Sequence, residues 1–484
     1  MKGGNTTLSK RKKDKIMISF VDEPASEDVT GSLIYISTPN HNICVDAGLR
    51  QTNDKYEDFL VNSRKFKEFK PKDIDLIFIT HNHGDHVLLC PRLYKEGCEA
   101  GTVISEGSYG AMKTMLMDCA YINERDTLVI NSQHNKNYKP IYSVEDVNKM
   151  LEHTIEKPMN EKIYIDDEIS FELIPSGHLL GGCQVLLHIT VGETTKTICV
   201  SGDLGNNEID NHFVGKFQPI KHCDVFIGET TYGDRPDLKT NMKQRRTDLD
   251  KLKSIIDMQI KEMNGRVLIP TFAQSRCQQL ALMIYELYKD SEWQPKVYVD
   301  SPLAIEIFKE YSQVVEGEEK ELFEKMMQWE NLILVKESED SKALVSSKEP
   351  CCILSTSGMC VVGRVRHHIK SLVSNPNATI LFVGFSTDGS LASLLKDNKR
   401  RSVTIDTKEY ACRCASYSLK SMSGHAPFYQ LLNYYSSINC NKIILHHGNT
   451  EAKDTFAKAL KKELEKNCKS TRVVIANSSL KFTL

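Results

Sequence analysis

Thr80-His81-Asn82-His83-Gly84-Asp85-His86 follows directly on the apolar run Ile74-Asp75-Leu76-Ile77-Phe78-Ile79, so three imidazoles and a carboxylate fall within six consecutive positions at the end of an expected strand. Neutral imidazole nitrogen and carboxylate oxygen suit a borderline divalent ion such as zinc, and catalytic sites leave coordination positions open for water. Strand-to-loop junctions are where a rigid scaffold presents such groups. A turn at Gly84 would aim His81 and His83 at one ion and Asp85 and His86 at a second.

Six residues cannot complete two coordination shells, so further ligands are expected at other strand ends. Ile169 to Ile174 alternates like a strand and stops at Pro175-Ser176-Gly177-His178. Thr197-Ile198-Cys199-Val200 runs into Ser201-Gly202-Asp203, a carboxylate that could serve both ions. Lys442-Ile443-Ile444-Leu445 ends at His446-His447-Gly448. Any one of these is an ordinary turn or cap residue when taken alone. Together and in this order they point to a metal-dependent hydrolase.

With these residues in view, the chain resembles the metallo-β-lactamase superfamily, whose pattern is HxHxDH followed by a distant His, a distant Asp and a final His. The resemblance implies that His81, His83 and His178 hold one zinc ion, that Asp85, His86 and His447 hold another, and that Asp203 bridges them. It also implies that Asp46, in Ile43-Cys44-Val45-Asp46-Ala47-Gly48, supports the ligands from behind. More than two hundred residues separate Asp203 from His447, and this insertion resembles a β-CASP domain. Its marks are Gly228-Glu229-Thr230-Thr231, Leu268 to Arg276, Val299-Asp300-Ser301-Pro302, Ser355 to Met359, Gly384 to Leu391 and Ser423-Gly424-His425-Ala426.

The implied fold is α/β: an αββα sandwich over residues 1–235 and 401–484, with an inserted α/β cap over 236–400. The implied activity is hydrolysis of RNA phosphodiester bonds with two Zn2+ ions as cofactors. His425 would act as the acid, Glu229 would orient it, and Asp85 would count among the catalytic side chains as well as the ligands. Ser355, Ser357, Gly358, Ser386 and Gly389 would grip the substrate backbone. Within the superfamily, a histidine at the position of His447 resembles the RNA-directed members, and single-stranded RNA is the expected partner. With no obvious appended KH-type module, the chain resembles the compact endonucleases. A 5′-exonuclease, a DNA nuclease of the same fold, a small-molecule hydrolase and a non-cutting RNA-binding subunit are the alternative readings. Two positions depart from the family pattern: Pro427 stands where relatives usually carry Asp, and Asn449 where many carry Glu. They change the surroundings of the acid histidine rather than the metal ligands.

Composition agrees. The 484 residues suffice for two domains with sizeable cores, and 40% hydrophobic with 26% charged residues is ordinary globular usage. No apolar run reaches the roughly 18 to 20 residues a membrane helix needs, and the basic stretch Met1 to Lys15 lacks the apolar core of a secretory signal. A cytoplasmic location, or a nuclear one in a eukaryote, is therefore expected. The 15 cysteines are scattered without zinc-knuckle spacing and read as reduced, mostly buried thiols. A net charge of −2 requires any nucleic acid to be held by a local groove. Lys10 to Lys13, Lys243 to Arg246 and Lys399-Arg400-Arg401 are the basic stretches that could touch phosphates. The assemblies left open are a homodimer and a larger RNA-processing complex. A helix is expected at Ala111 to Cys119 and an exposed loop at Gln133 to Pro140.

Overall fold

The computed structural model describes residues 15–21, 31–52, 54–384, 386, 389–397 and 399–484, which fall into two compact units. The basic run Lys10 to Lys13 and the turn residues Phe385, Thr387 and Asp388 lie outside the described residues. Unit one comprises 1–205, 216–238 and 425–484; unit two comprises 206–215 and 239–424.

Unit one is built on two seven-stranded sheets. The first runs in the order Lys481–Thr483, Met17–Phe20, Ile34–Ser37, Asn42–Val45, Leu76–Phe78, Gly101–Ser105, Thr154–Lys157. The second runs Arg472–Ile475, Lys442–Leu445, Val225–Gly228, Thr194–Val200, Cys183–Val191, Ile169–Pro175, Ile163–Tyr164. Their facing sides share one buried cluster, with Ile36, Ile43, Val45 and Phe78 from the first meeting Phe171, Val185, Leu187, Ile198 and Ile227 from the second. The rings of Phe78 and Phe171 lie 4.9 Å apart, edge to face.

Both sheets are apolar on their outer faces as well. Ile77 and Ile79 pack on Leu93, Met112, Leu116 and Met150 from the helices over the first sheet. Phe226 and Leu186 pack with Leu431, Tyr435, Phe456 and Leu460 from the helices over the second. This produces the four αββα layers, because strands buried on both sides must be covered twice. The expected helix at Ala111 to Cys119 belongs to a longer one, Tyr109–His134. Its C-terminal turn is closed where the Asn131 carboxamide pairs with both backbone groups of Tyr138.

Unit two carries a six-stranded sheet with all neighbours parallel, ordered Leu332–Leu334, Val297–Asp300, Cys351–Thr356, Arg266–Thr271, Ala378–Phe382, Ala415–Ser418. Its central strands read as continuous apolar runs, as burial on both faces requires. The Lys243 to Arg246 stretch does not behave as a uniform basic face. Arg245 is buried in the helix Met242–Ile256, and its guanidinium donates to Asn211 Oδ1 and Ser421 O. Helical periodicity turns this one position inward while Lys243 and Arg246 stay exposed. Among the described residues, no helix is long and apolar enough to cross a membrane.

Candidate metal centre

Each expected ligand sits just past the C-terminal end of a strand in unit one. Leu76–Phe78 leads to His81, His83, Asp85 and His86, with the last two in the short helix Gly84–Val87. Ile169–Pro175 leads to His178, Thr194–Val200 to Asp203, and Lys442–Leu445 to His447. Tertiary packing gathers them into two groups: His81, His83, His178 and Asp203, then Asp85, His86 and His447. A third group joins Asp203 to Glu229 and His425. All of the metal-type side chains expected from sequence are thus brought to one place.

Asp203 stands between the first two groups. Its Oδ2 lies 3.5 Å from His81 Nε2 and 3.6 Å from His178 Nε2, while its Oδ1 lies 3.4 Å from His86 Nε2 and 3.1 Å from His447 Nδ1. Within the groups, ring nitrogens face one another: His83 Nδ1 and His178 Nε2 are 3.1 Å apart, as are His86 Nε2 and His447 Nε2. Asp85 Oδ2 is 3.2 Å from His447 Nε2.

Electrostatics keeps one group neutral and the carboxylates ionised. Burial, reinforced by neighbouring imidazoles, lowers His81 and His178 and pushes His83 down to about 3. Burial opposes ionisation of Asp203 and Asp85, but the surrounding imidazoles outweigh it and hold both carboxyls well below their usual range. For His86 burial again opposes the charge, and the Asp203 and Asp46 carboxylates overcome it. His81 Nε2 and Asp203 Oδ1 are buried and have no hydrogen-bond partner among the described residues. Lone pairs of the neutral imidazoles and ionised carboxylates converge as divalent cations require, with His86 giving up the proton its carboxylates favour when an ion binds, and this donor set fits two.

Behind the ligands, Asp46 organises the loop. Its Oδ1 accepts from Thr80 N–H at 2.8 Å and the Thr80 hydroxyl at 3.0 Å, and its Oδ2 lies 2.7 Å from His86 Nδ1. With the ring proton on Nδ1 facing Asp46, the Nε2 lone pair is directed at the cluster. Ser32, a residue the sequence did not mark, adds a longer contact to Asp46 at 3.4 Å and lies 3.0 Å from His446 Nε2. Thr80 precedes the histidine run and was the available signal for this network; Ser32 had none. Gly48 is required by close approach, since a Cβ there would stand 1.7 Å from Asp85 O.

His425 ring atoms lie near Glu229 and the cluster. Nδ1 is 3.6 Å from Glu229 Oε1 and 3.9 Å from Asp203 Oδ2, ion-pair distances longer than a hydrogen bond. Glu229 is itself held rigidly: Oε1 accepts from Leu204 N–H and Oε2 from Thr231 N–H, both at 2.9 Å. Burial works against the charged form of His425, yet Glu229 and then Asp203 lift it above the ordinary imidazole value. The departures at 427 and 449 have local uses. Pro427 precedes the helix Phe428–Ser437, and Asn449 caps Thr450–Lys466 by accepting from Ala452 N–H at 2.7 Å.

The residues expected to grip substrate lie in unit two. Ser355 is fully buried, and its hydroxyl donates to Asp300 O at 2.8 Å, so it fixes a strand end rather than offering its side chain. Gly358 and Ser386 line one small pocket with Phe272, Arg276 and Gly384. Ser386 Oγ accepts from Lys396 Nζ at 2.7 Å. Ser357 is half-buried beside Gly358, and Gly389 is exposed.

Comparison with known proteins finds three family matches. Residues 27–215 match the metallo-beta-lactamase superfamily, 277–395 the Beta-Casp domain, and 409–470 the Zn-dependent metallo-hydrolase RNA specificity domain. The chain is 29% identical over 435 residues to Ribonuclease TTHA0252 of Thermus thermophilus, covering 88% of this chain and 92% of that one. It is 26% identical over 466 residues to Transcription termination factor FttA of Methanocaldococcus jannaschii, covering 93% and 70%. A crystal structure of an Enterococcus faecalis V583 protein of unknown function superposes with a TM-score of 0.53 at 13% identity, covering 97% of this chain and all of that one. That likeness speaks for the fold alone.

Proposed function

Because the chain belongs to the metallo-β-lactamase superfamily and, within it, to the β-CASP metallo-hydrolases, we propose that it is a zinc-dependent endoribonuclease cutting single-stranded RNA. The observation that carries this reading is the meeting of two donor groups on Asp203, with His425 and Glu229 forming a third group on the same carboxylate. In this reading His81, His83 and His178 hold one Zn2+ ion, Asp85, His86 and His447 hold the second, and Asp203 serves both. Two such ions would supply an activated water and neutralise phosphate charge.

The remaining chemistry belongs to the chain. Asp46 fixes the His86 ring through Nδ1, so that Nε2 stays available as a ligand. His425 donates a proton to the departing oxygen of the cleaved ester. Glu229, immobilised by two backbone amides, holds negative charge beside His425 Nδ1 and favours the protonated ring. Glu229 does not need to move, because it is buried and held by the Leu204 and Thr231 amides.

RNA as substrate draws support from the match to an RNA specificity domain and from the ribonuclease among the relatives. In unit two, Ser357, Gly358, Ser386 and Gly389 would hold the RNA backbone, with Ser355 anchoring the strand before them. In domain terms, unit one would form the catalytic sandwich and unit two the cap, so that the cap runs past residue 400 to 424, acting on cytoplasmic RNA, or nuclear RNA in a eukaryote. The deciding substrate is circular single-stranded RNA, which has no ends. Zinc-loaded protein should linearise it, and a chelator should abolish the cut. Circles left intact while 5′-monophosphorylated linear RNA is shortened would replace the endonuclease reading with a 5′-exonuclease.

A further inference from the structure

The strands Val225–Gly228 and Lys442–Leu445 end at Glu229 and His447, and at their opposite ends they bring two cysteines together. Val225 is paired with Lys442 in parallel register, and three residues before the strands His222 bridges Asn439. Carrying the register back places Cys223 directly opposite Cys440, and Cys223 N–H donates to Asn439 O at 3.3 Å. Parallel neighbours lie about 4.8 Å apart with side chains on the same face. A disulfide needs Cα atoms about 4.4–6.8 Å apart, so the backbone spacing already suits one. Both cysteines belong to the same buried cluster of unit one.

Cys440 differs chemically from the other thiols. Burial pushes up thiols such as Cys44, Cys183, Cys199, Cys277 and Cys352, and Cys223 is raised first by its pairing with Cys440 and then by burial. The Cys440 thiol is instead lowered, first by its hydrogen bond with Cys223 and then, against burial, by the Lys469 ammonium, Thr471 and the Lys442 amide. Lys469 is fixed there, since its Nζ donates to Ser436 O, Ser437 O and Ile438 O at 2.6, 2.9 and 3.1 Å. Thiolate beside a fixed cation is the reactive form of cysteine. Cys440 is 7% exposed and Cys223 wholly buried, so a small oxidant meets Cys440 first.

We propose that Cys440 and Cys223 form an oxidative modification site, a nucleophilic and a resolving thiol that hydrogen peroxide converts to a disulfide. The Cys440 thiolate attacks the peroxide oxygen, the O–O bond breaks, and the departing hydroxide takes up a proton as water. The resulting sulfenic acid is attacked by the Cys223 sulfur, the S–S bond forms, and a second water leaves with the Cys223 proton. The thiols lose two electrons and the peroxide gains them.

The full-length chain is treated with limiting hydrogen peroxide, alkylated, and mapped by non-reducing peptide mass spectrometry. Exposed, lone Cys468 serves as the internal competitor. The expected product is a Cys223–Cys440 cross-linked peptide that dithiothreitol reverses. Cys223→Ser should stop the reaction at a Cys440 sulfenic acid that dimedone captures. If Cys468 is oxidised while Cys223 and Cys440 of the unsubstituted chain remain unlinked thiols, the proposal is overturned. That readout stands even if the variant does not fold.

Discussion

The substitution Asp46→Asn exchanges one carboxylate oxygen for an NH2 group and tests the link between the supporting carboxylate and the metal centre. Asp46 accepts from Thr80 N–H and the Thr80 hydroxyl through Oδ1, and its Oδ2 lies 2.7 Å from His86 Nδ1. A carboxamide can keep its oxygen on Thr80, which places its NH2 group against His86 Nδ1. The imidazole must then either lose this contact or accept there, moving its own proton to Nε2. On Nε2 that proton would point at His447 Nε2, 3.1 Å away, and at Asp203 Oδ1, 3.4 Å away, where a ligand lone pair is needed. Loss of such a support typically lowers metal affinity about 10- to 100-fold, or about 1.4 to 2.8 kcal/mol. The loss should fall on the ion held by Asp85, His86 and His447 and spare the other. Chelator-competition titration, read as metal content by mass spectrometry with circular dichroism as the folding control, measures it. An Asp46→Asn variant that retains both ions at unchanged affinity would falsify the argument that Asp46 sets the His86 tautomer.

Three further outcomes are expected. His425→Ala should keep its metal while cleaving RNA about 10²- to 10⁴-fold more slowly, the usual range for a general acid, and a substrate with a better leaving group should recover part of the rate; unchanged turnover with ordinary RNA removes His425 from the mechanism. Gly48→Ala would put a Cβ 1.7 Å from Asp85 O, where ordinary contact begins near 3.4 Å, so the ligand loop must shift, at a cost of about 1–3 kcal/mol measurable as a lower melting temperature together with reduced metal content; wild-type values for both refute it. His212, within 3.0 Å of Glu286 and 3.4 Å of Glu319, is raised to about 9 because these carboxylates outweigh burial. A raised imidazole stabilises fully below its unfolded value near 6.5 and loses that contribution as pH climbs through about 9. Hydrogen exchange in 206–215 should therefore accelerate across that window, by the equivalent of about 1–2 kcal/mol after screening at the part-exposed glutamates, and His212→Gln should flatten the dependence; a variant with the same pH profile would show that His212 is not the group responsible.

Much of the metal centre was legible because its information is local. A candidate ligand at a strand end is marked by an apolar run followed by a turn and a donor, and the donors so marked at His81, His83, His178, Asp203 and His447 come together in the structure. Alternation or continuous apolarity also marked strands of both sheets, at Ile74 to Ile79, Ile169 to Ile174, Thr197 to Val200 and Lys442 to Leu445. Asp46 was reachable by resemblance, and the Thr80 contact that makes it effective lies one residue before the histidine run.

Other properties depend on groups far apart in the chain. No local pattern says that the two oxygens of Asp203 face different histidine groups, because that requires four strand ends to be packed side by side. Helix phase turned Arg245 from a surface cation into a buried donor, and strand pairing consumed the Ser355 hydroxyl on Asp300 O. Cys223 and Cys440 looked like two among 15 scattered thiols, and parallel register across more than two hundred residues made them neighbours. The sequence by itself determined which donors exist and which strand end carries each. Only the tertiary structure decided which donors share an ion site, which side chains are already spent on a hydrogen bond and which thiols meet, because those are distances between segments and no local rule of backbone geometry contains them.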